Sequence, residues 1–323
     1  MLIGTVLAPL GIILSSFSTE LWHIYLSQGV VFGVGCGLVF APSLALPSQW
    51  FEKNRSLATG LAVAGSGLGG LAISPMSQSL IVSIGYRNAI RAIGAMGFGI
   101  LIISTCLAFS KYLPGGVKRG KVSRLVIIDT TIIDRNFLLV CAYCFFIPFG
   151  YLAPFFLVPQ YVSYLGGSAS QGATLVSIMS AMNSICRIVM GFIADRMGKF
   201  NTMVTCTFLS GLFSMLIWQF SFTLNTYIGF CILYGLVSGV FVSLLPVILA
   251  EIVGVENIQR GIGMSYTITL FGSLLGAPVS GALKDTFGWT AAIQFSGAPT
   301  ILSGIILLYL RMSKSRGKIF TVI

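Results

Sequence analysis

Gly60-Leu61-Ala62-Val63-Ala64-Gly65-Ser66-Gly67-Leu68-Gly69 opens a stretch that runs on to Gly85-Tyr86-Arg87-Asn88-Ala89-Ile90. It occurs twice. Gly263-Met264-Ser265 through Gly288-Trp289-Thr290-Ala291-Ala292-Ile293 lies on it without a gap, at the constant offset of 203 that separates Gly60 from Gly263. Gly69 falls on Gly272, Pro75 on Pro278, Gly85 on Gly288, Ala89 on Ala292 and Ile90 on Ile293, and Tyr86 meets Trp289, aromatic for aromatic. A gapless repeat inside a very apolar chain is the trace of a carrier built from two related halves.

Working outward, hydrophobic residues make up 56% of the chain and charged residues 8%, against about 25% charged in a soluble domain. The charges sit in clusters between apolar runs long enough to span a bilayer. Backbone groups in hydrocarbon must be satisfied within their own segment, so these runs are expected to be helices. The fold class is all-α, a polytopic membrane helix bundle. Ten spans are expected, at 1–17, 22–47, 57–83, 90–110, 136–164, 171–194, 201–221, 226–250, 261–283 and 288–311. The second half begins near Asn136, and the offset places the matching start of the first half well before Met1. The expectation is therefore ten helices of a twelve-helix plan. Residues 1–110 form a first half lacking two helices, 111–135 a central loop, and 136–323 a second half of six helices. The first segment, Met1 to Ser18, lacks a basic leader and a cleavage site and reads as a mature helix.

The net charge is +11, but its distribution is topological. One set of alternate loops and ends carries Lys53, Arg55, Lys111, Lys118, Arg119, Lys121, Arg124, Arg135, Arg196, Lys199, Arg260, Arg311, Lys314, Arg316 and Lys318. The opposite set carries Arg87, Arg91 and Lys284. By the positive-inside rule, the rich side and both termini are cytoplasmic. The expected partners are the lipid bilayer and a small-molecule substrate rather than nucleic acid. All seven cysteines lie inside spans, and Cys141-x-x-Cys144 reads as small interior side chains in an apolar helix. No metal site, disulfide framework or cofactor is indicated.

Spans three and nine carry dense glycine: Gly60, Gly65, Gly67, Gly69 and Gly70 in one, Gly261, Gly263, Gly272, Gly276 and Gly281 in the other. Small residues allow close helix approach in lipid. Beyond static packing, the symmetric placement suggests helices that slide across the interface between halves. Spans two and eight are expected to end in prolines, at Pro42 and Pro47 and at Pro246.

Arg187 is the one charge deep in a span, eight residues before Asp195 and so about 12 Å from the helix end. A charge there costs at least about 2.5–3.5 kcal/mol on insertion scales, so it should face a wet cavity. The alternative is an arginine snorkelling to the surface. Asn183 lies one turn earlier and can share its face. A guanidinium suits a carboxylate. Tyr143, Tyr151, Gln160 and Ser243 are further polar pocket candidates.

After that helix, Gly191-x-x-x-Asp195-Arg196-Met197-Gly198-Lys199 closely resembles the loop motif of the major facilitator superfamily. In that family the aspartate and basic residues form a charge latch at the inner gate. A narrower resemblance follows. Gln49-Trp50-Phe51-Glu52-Lys53-Asn54-Arg55-Ser56 with the glycine run after it, Ser15-Ser16-Phe17 with Leu21-Trp22, and Pro246-Val247-Ile248-Leu249-Ala250-Glu251 are similar to fungal monocarboxylate-transporter-like porters. The resemblance implies twelve helices, alternating access and transport of carboxylates or larger anionic metabolites, in the plasma membrane, the vacuole or another membrane. It implies Arg187 as the substrate-binding arginine. Where animal members carry an aspartate, this chain has Asn183, and it has no lysine in its first helix. Proton symport, also implied, would need a titratable group that these spans do not supply. The substrate could be a monocarboxylate, riboflavin or a secondary metabolite. An accessory membrane protein is left open. A non-transporting truncated paralogue is the alternative class. An enzyme has no support, because His23 stands alone and no carboxylate cluster or nucleophile elbow is present.

Overall fold

The computed structural model describes residues 1–108 and 132–314. Most of the expected central loop, and the chain after Lys314, lie outside the described residues. Among the described residues, the fold is built of ten helical rods. They are α1 (Leu2–Ser15), α2 (Leu21–Trp50), α3 (Arg55–Ile84), α4 (Tyr86–Leu107), α5 (Arg135–Tyr164), α6 (Ala169–Met197), α7 (Lys199–Trp218), α8 (Leu224–Val253), α9 (Ile258–Phe287) and α10 (Trp289–Lys314). Nine of these, among the described residues, are long and apolar enough to cross a bilayer. A rod of 30 residues, such as α5 or α9, is about 45 Å long and spans a hydrocarbon core of about 30 Å with room to tilt. The exception is α1. Its 14 residues reach only about 21 Å, short of the span expected over 1–17.

The repeat governs the helix boundaries. Adding 203 to the ends of α2 gives those of α8, and adding it to the ends of α3 gives those of α9. The starts of α4 and α10 correspond in the same way. The local devices recur too. Glu20 and Thr223, equivalent positions, each close a capping box at the start of their helix, satisfying amides that helix geometry leaves orphaned. Gly85 and Gly288, also equivalent, take φ of 80° and 82° between consecutive helices, a left-handed backbone that a side chain would strain.

The prolines do not end their helices. Pro42 and Pro47 lie inside α2, and Pro246 inside α8. Distortion falls elsewhere: α2 is π-helical over Tyr25–Phe32, and α8 breaks at Gly239 between Leu224–Ser238 and Val240–Val253. Helices in lipid tolerate proline when neighbouring groups re-satisfy the freed carbonyl, whereas any insertion at Gly239 meets a neighbour directly. A Cβ there would lie 2.5 Å from Asn183 Oδ1.

The packed core belongs mainly to α5–α10. Phe137, Val140, Tyr143, Cys144 and Ile147 of α5 meet Phe200, Met203 and Cys206 of α7, Leu244, Leu245 and Ile248 of α8, and Leu307 and Leu310 of α10. Among the described residues of α2 and α3, Leu44, Ala45 and Val63 join these buried side chains. A second cluster, at the opposite end of the same helices, is aromatic: Tyr161, Trp218, Tyr227, Phe230 and Tyr234. Cys141 and Cys144 are free thiols, both buried.

The two glycine-rich helices do different jobs. On α3, a Cβ at Gly60 would collide with the Arg187 carbonyl, and one at Gly67 with Ser184, both on α6. On α9, Gly272 and Gly276 press against Phe145, Pro148 and Phe149 of α5. Gly60 and Gly67 of α3 therefore form a seam with α6, whereas Gly272 and Gly276 of α9 pack against α5. Gly65, Gly69, Gly70, Gly263 and Gly281 face open space.

Candidate substrate site and gate

The start of α6 is fixed by a capping box, in which the Ser168 hydroxyl accepts from the Gln171 amide and the Gln171 side chain accepts from the Ser168 amide. Its close seam with α3 then sets where Arg187 points. Arg187 is 7% exposed, and its guanidinium reaches sideways to α3, not toward the helix end. Its Nη1 donates to the Val63 carbonyl at 2.9 Å and to the Ser66 hydroxyl, both on α3. Snorkelling is thereby replaced by a tie from α6 to α3. Arg187 Nε is buried and has no hydrogen-bond partner, a costly state for part of a cation away from water.

Two tyrosines close around it. The Tyr151 hydroxyl, from α5, lies beside both the Arg187 guanidinium and the Asn183 amide. The Tyr266 hydroxyl, from α9, is buried without a partner and lies within electrostatic reach of Arg187 and Tyr151. Aromatic walls come from both halves. Phe40 of α2 stands edge-on to Tyr266 at 5.2 Å, and Phe241 of α8 to Tyr151 at 4.8 Å. The result is a centre with one buried cation, phenolic donors and apolar rings.

The other expected residues lie as follows. Asn183 is next to this centre, but its Nδ2 donates to Ser238 Oγ at 3.2 Å, at the α8 break. Tyr143 is fully buried, with its hydroxyl 3.3 Å from Thr207 Oγ1 in the α5–α7 core. Gln160 sits far along α5, accepting from Lys284 Nζ at 2.8 Å. Ser243 is fully buried and donates to the Val240 carbonyl of its own helix. Arg187, Asn183 and Tyr151 are thus brought together, Tyr143 lies within electrostatic reach of Tyr266, and Gln160 and Ser243 are placed elsewhere. Sequence reasoning missed Tyr266 and the Val63–Ser66 turn. The repeat held the signal, because Tyr266 is the position equivalent to Val63, and both face Arg187.

At the end of α6 the Asp195 carboxylate accepts from the amides of Ser56 at 3.0 Å and Leu57 at 2.9 Å. These are two of the orphan donors at the N-terminus of α3, whose N-cap residue Asn54 makes no side-chain cap. A carboxylate there satisfies both amides and meets the positive end of the helix dipole. Gly191 permits the approach, since a Cβ on it would lie 2.7 Å from the Ser56 carbonyl. Gly198 turns the chain with φ 98°. The basic residues of the motif do not pair with Asp195. Arg196 stacks on Phe192 of its own helix at 4.1 Å, and Lys199 forms an ion pair with Glu251 of α8. The contact that Asp195 makes from α6 to α3 is carboxylate to helix terminus.

Against known sequences, the profile described as the Major Facilitator Superfamily matches residues 1–245 and 201–320. The chain belongs to the major facilitator superfamily. It is an integral, multi-pass membrane transporter. The transporter is 30% identical over 316 residues to the MFS-type transporter opdF of Penicillium oxalicum, covering 97% of this chain and 73% of that one. It is 28% identical to monocarboxylate transporter 12 of Xenopus laevis, covering 95% and 72%. Among solved structures it resembles the E. coli fucose:proton symporter FucP, with TM-score 0.73, 14% identity, and coverage of 95% of this chain and 82% of that one. It also resembles the human organic anion transporter MFSD10, with TM-score 0.71, 15% identity and coverage of 95% and 76%. These solved neighbours speak to the fold, which is the helix bundle expected.

Proposed function

We propose that the transporter moves a small organic monoanion by alternating access, with the anion held at Arg187. The observation that carries this reading is the buried guanidinium whose Nε lacks a partner. An anionic oxygen placed there would satisfy it, and the Tyr266 hydroxyl offers a second donor. No other cation lies in this centre among the described residues, which favours one negative charge over two. The aromatic walls suit an apolar body behind the anionic head. Similarity to monocarboxylate transporter 12 agrees with that chemistry. In this reading residues 1–110 and 136–323 are the two halves, joined by 111–135. The end carrying Asp195 is the cytoplasmic gate, a role supported by the hydrogen bonds from the start of α3 to Asp195. Both termini are cytoplasmic, because the basic loops and ends lie on that side.

The test is flux of radiolabelled benzoate, with neutral benzamide as control, into vesicles containing the full chain. Arg187→Lys should fold and lose most benzoate flux, since an ammonium cannot reproduce the fork, and Arg187→Ala should lose all of it. Wild-type flux by a normally inserted Arg187→Ala protein would sink the reading. A second reading, efflux of a larger secondary metabolite, is favoured by 30% identity to the aspyridones efflux protein apdF of Emericella nidulans, over 97% of this chain and 63% of that one. It uses the same site with a larger apolar body.

A further inference from the structure

Arg187 is carried by α6 but oriented by α3, a helix of the other half. Three hydrogen bonds form a closed triangle. Nη1 donates to the Val63 carbonyl and to Ser66 Oγ, and Ser66 Oγ in turn donates to the same Val63 carbonyl at 2.9 Å. The hydroxyl is therefore fixed on one side by its own helix and presents its lone pair to the arginine. The repeat shows that this is not a general property of the position. Thr269, the equivalent of Ser66 on α9, donates to Ser265 of its own helix at 3.0 Å and holds no cation.

We infer that Ser66 is a positioning residue for the anion site, an inference that rests on the monoanion reading above. A guanidinium has an end-on edge and a side-on edge, and only one can meet a carboxylate as a fork. The Nη1 amino group lies on the side of the side-chain stem. By engaging it, the Val63–Ser66 turn leaves the side-on edge, to which the unpartnered Nε belongs, for the ligand. Geometry of this kind restricts the arginine before the anion arrives, so less rotamer entropy is lost on binding. It also makes the site bipartite. The cation that meets the anion keeps its orientation only while α3 lies against α6, so the register of the two halves is felt at the ligand. Ser66 itself is on an exposed part of α3, so its substitution leaves the buried seam of Gly60 and Gly67 untouched.

The experiment reads Arg187 directly. The full chain in lipid nanodiscs is treated with phenylglyoxal, and modification of each arginine is followed by peptide mass spectrometry, with and without benzoate. Ser66→Ala should speed Arg187 modification roughly tenfold, the scale expected for loss of a hydrogen bond to a charged group. Ser66→Thr, which keeps the hydroxyl, should stay within about twofold of wild type. Exposed Arg87 should react alike in all three and reports any general loosening. Equal Arg187 rates in wild type and Ser66→Ala would overturn the inference. So would equal acceleration by Ala and Thr, which would mean that the position matters only for packing. Benzoate protection of Arg187 tests the underlying reading separately. Its absence in wild type, with the Ser66 difference intact, would reject benzoate-like anions as ligands and leave the orientation by Ser66 standing.

Discussion

Replacing Asp195 by Asn should loosen the contact between α6 and the start of α3 by a measurable amount. The carboxylate accepts two backbone hydrogen bonds, at 3.0 and 2.9 Å, from the first turn of α3. The amide of Asn has one acceptor oxygen and no charge, so it keeps at most one of the two. A hydrogen bond to a charged group contributes about 1.5–3 kcal/mol, and a charge at a helix terminus about 0.3–1 kcal/mol at exposed sites. Asp195 is partly exposed, so the lower ends apply, and the expected loss is about 1.5–2 kcal/mol. That corresponds to a roughly 10- to 30-fold increase in opening, at about 1.4 kcal/mol per factor of ten. Hydrogen–deuterium exchange on the peptide containing Ser56 and Leu57 measures it, because those amides are the donors. Their exchange should accelerate by the same factor. Arg196→Ala is the control and should leave them unchanged, because Arg196 stacks on Phe192 of its own helix. Unchanged Ser56 and Leu57 exchange in Asp195→Asn would refute the contact described above.

Gly67→Ala should lower the melting temperature of the transporter, because its Cβ collides with Ser184 and overpacking typically costs about 1–3 kcal/mol. Gly65→Ala, whose Cβ meets nothing within 4 Å, should be neutral in the same thermal assay. Tyr266→Phe should raise the KM for benzoate about tenfold through loss of one donor to a charge, whereas Tyr143→Phe should leave KM unchanged because its hydroxyl meets Thr207 in the core. If Tyr143→Phe moves KM as much as Tyr266→Phe, the assignment of the site is wrong. A cysteine replacing exposed Phe222 should react with an impermeant maleimide from outside cells, and one replacing Glu52 only after permeabilisation; the reverse pattern would invert the topology.

Much of the architecture is legible in the chain because it is a local property. Apolar run length reports the membrane, and the offset of 203 carries helix ends, capping boxes and the Gly85 and Gly288 turns with it. The proline expectation misled because a proline removes one donor and adds one clash, and in a packed bundle neighbours absorb both. The α1 span came out short because hydropathy does not mark where a helix stops. At the site, Arg187 was legible from cost alone: a charge that deep in an apolar run needs a reason. The sequence does not say where Tyr143 and Ser243 direct their hydroxyls, because a polar side chain mid-helix looks the same whether it bonds its own backbone, a core neighbour or a cavity.

The sequence by itself determined that this is a membrane helix bundle with an internal repeat, where nearly all its helices lie, and which arginine is out of place. Only the tertiary structure decided what that arginine does. Its partners Val63 and Ser66 are more than 120 positions away in the chain, and those of Asp195 nearly 140. Such hydrogen bonds reach only a few ångströms and depend on direction. They exist because glycines bring α3 and α6 to near backbone contact at one crossing. Periodicity and composition record which face of a helix is apolar; they do not record the angle and register at which two helices meet, and it is that register which chose a carbonyl, a hydroxyl and a helix terminus as the partners.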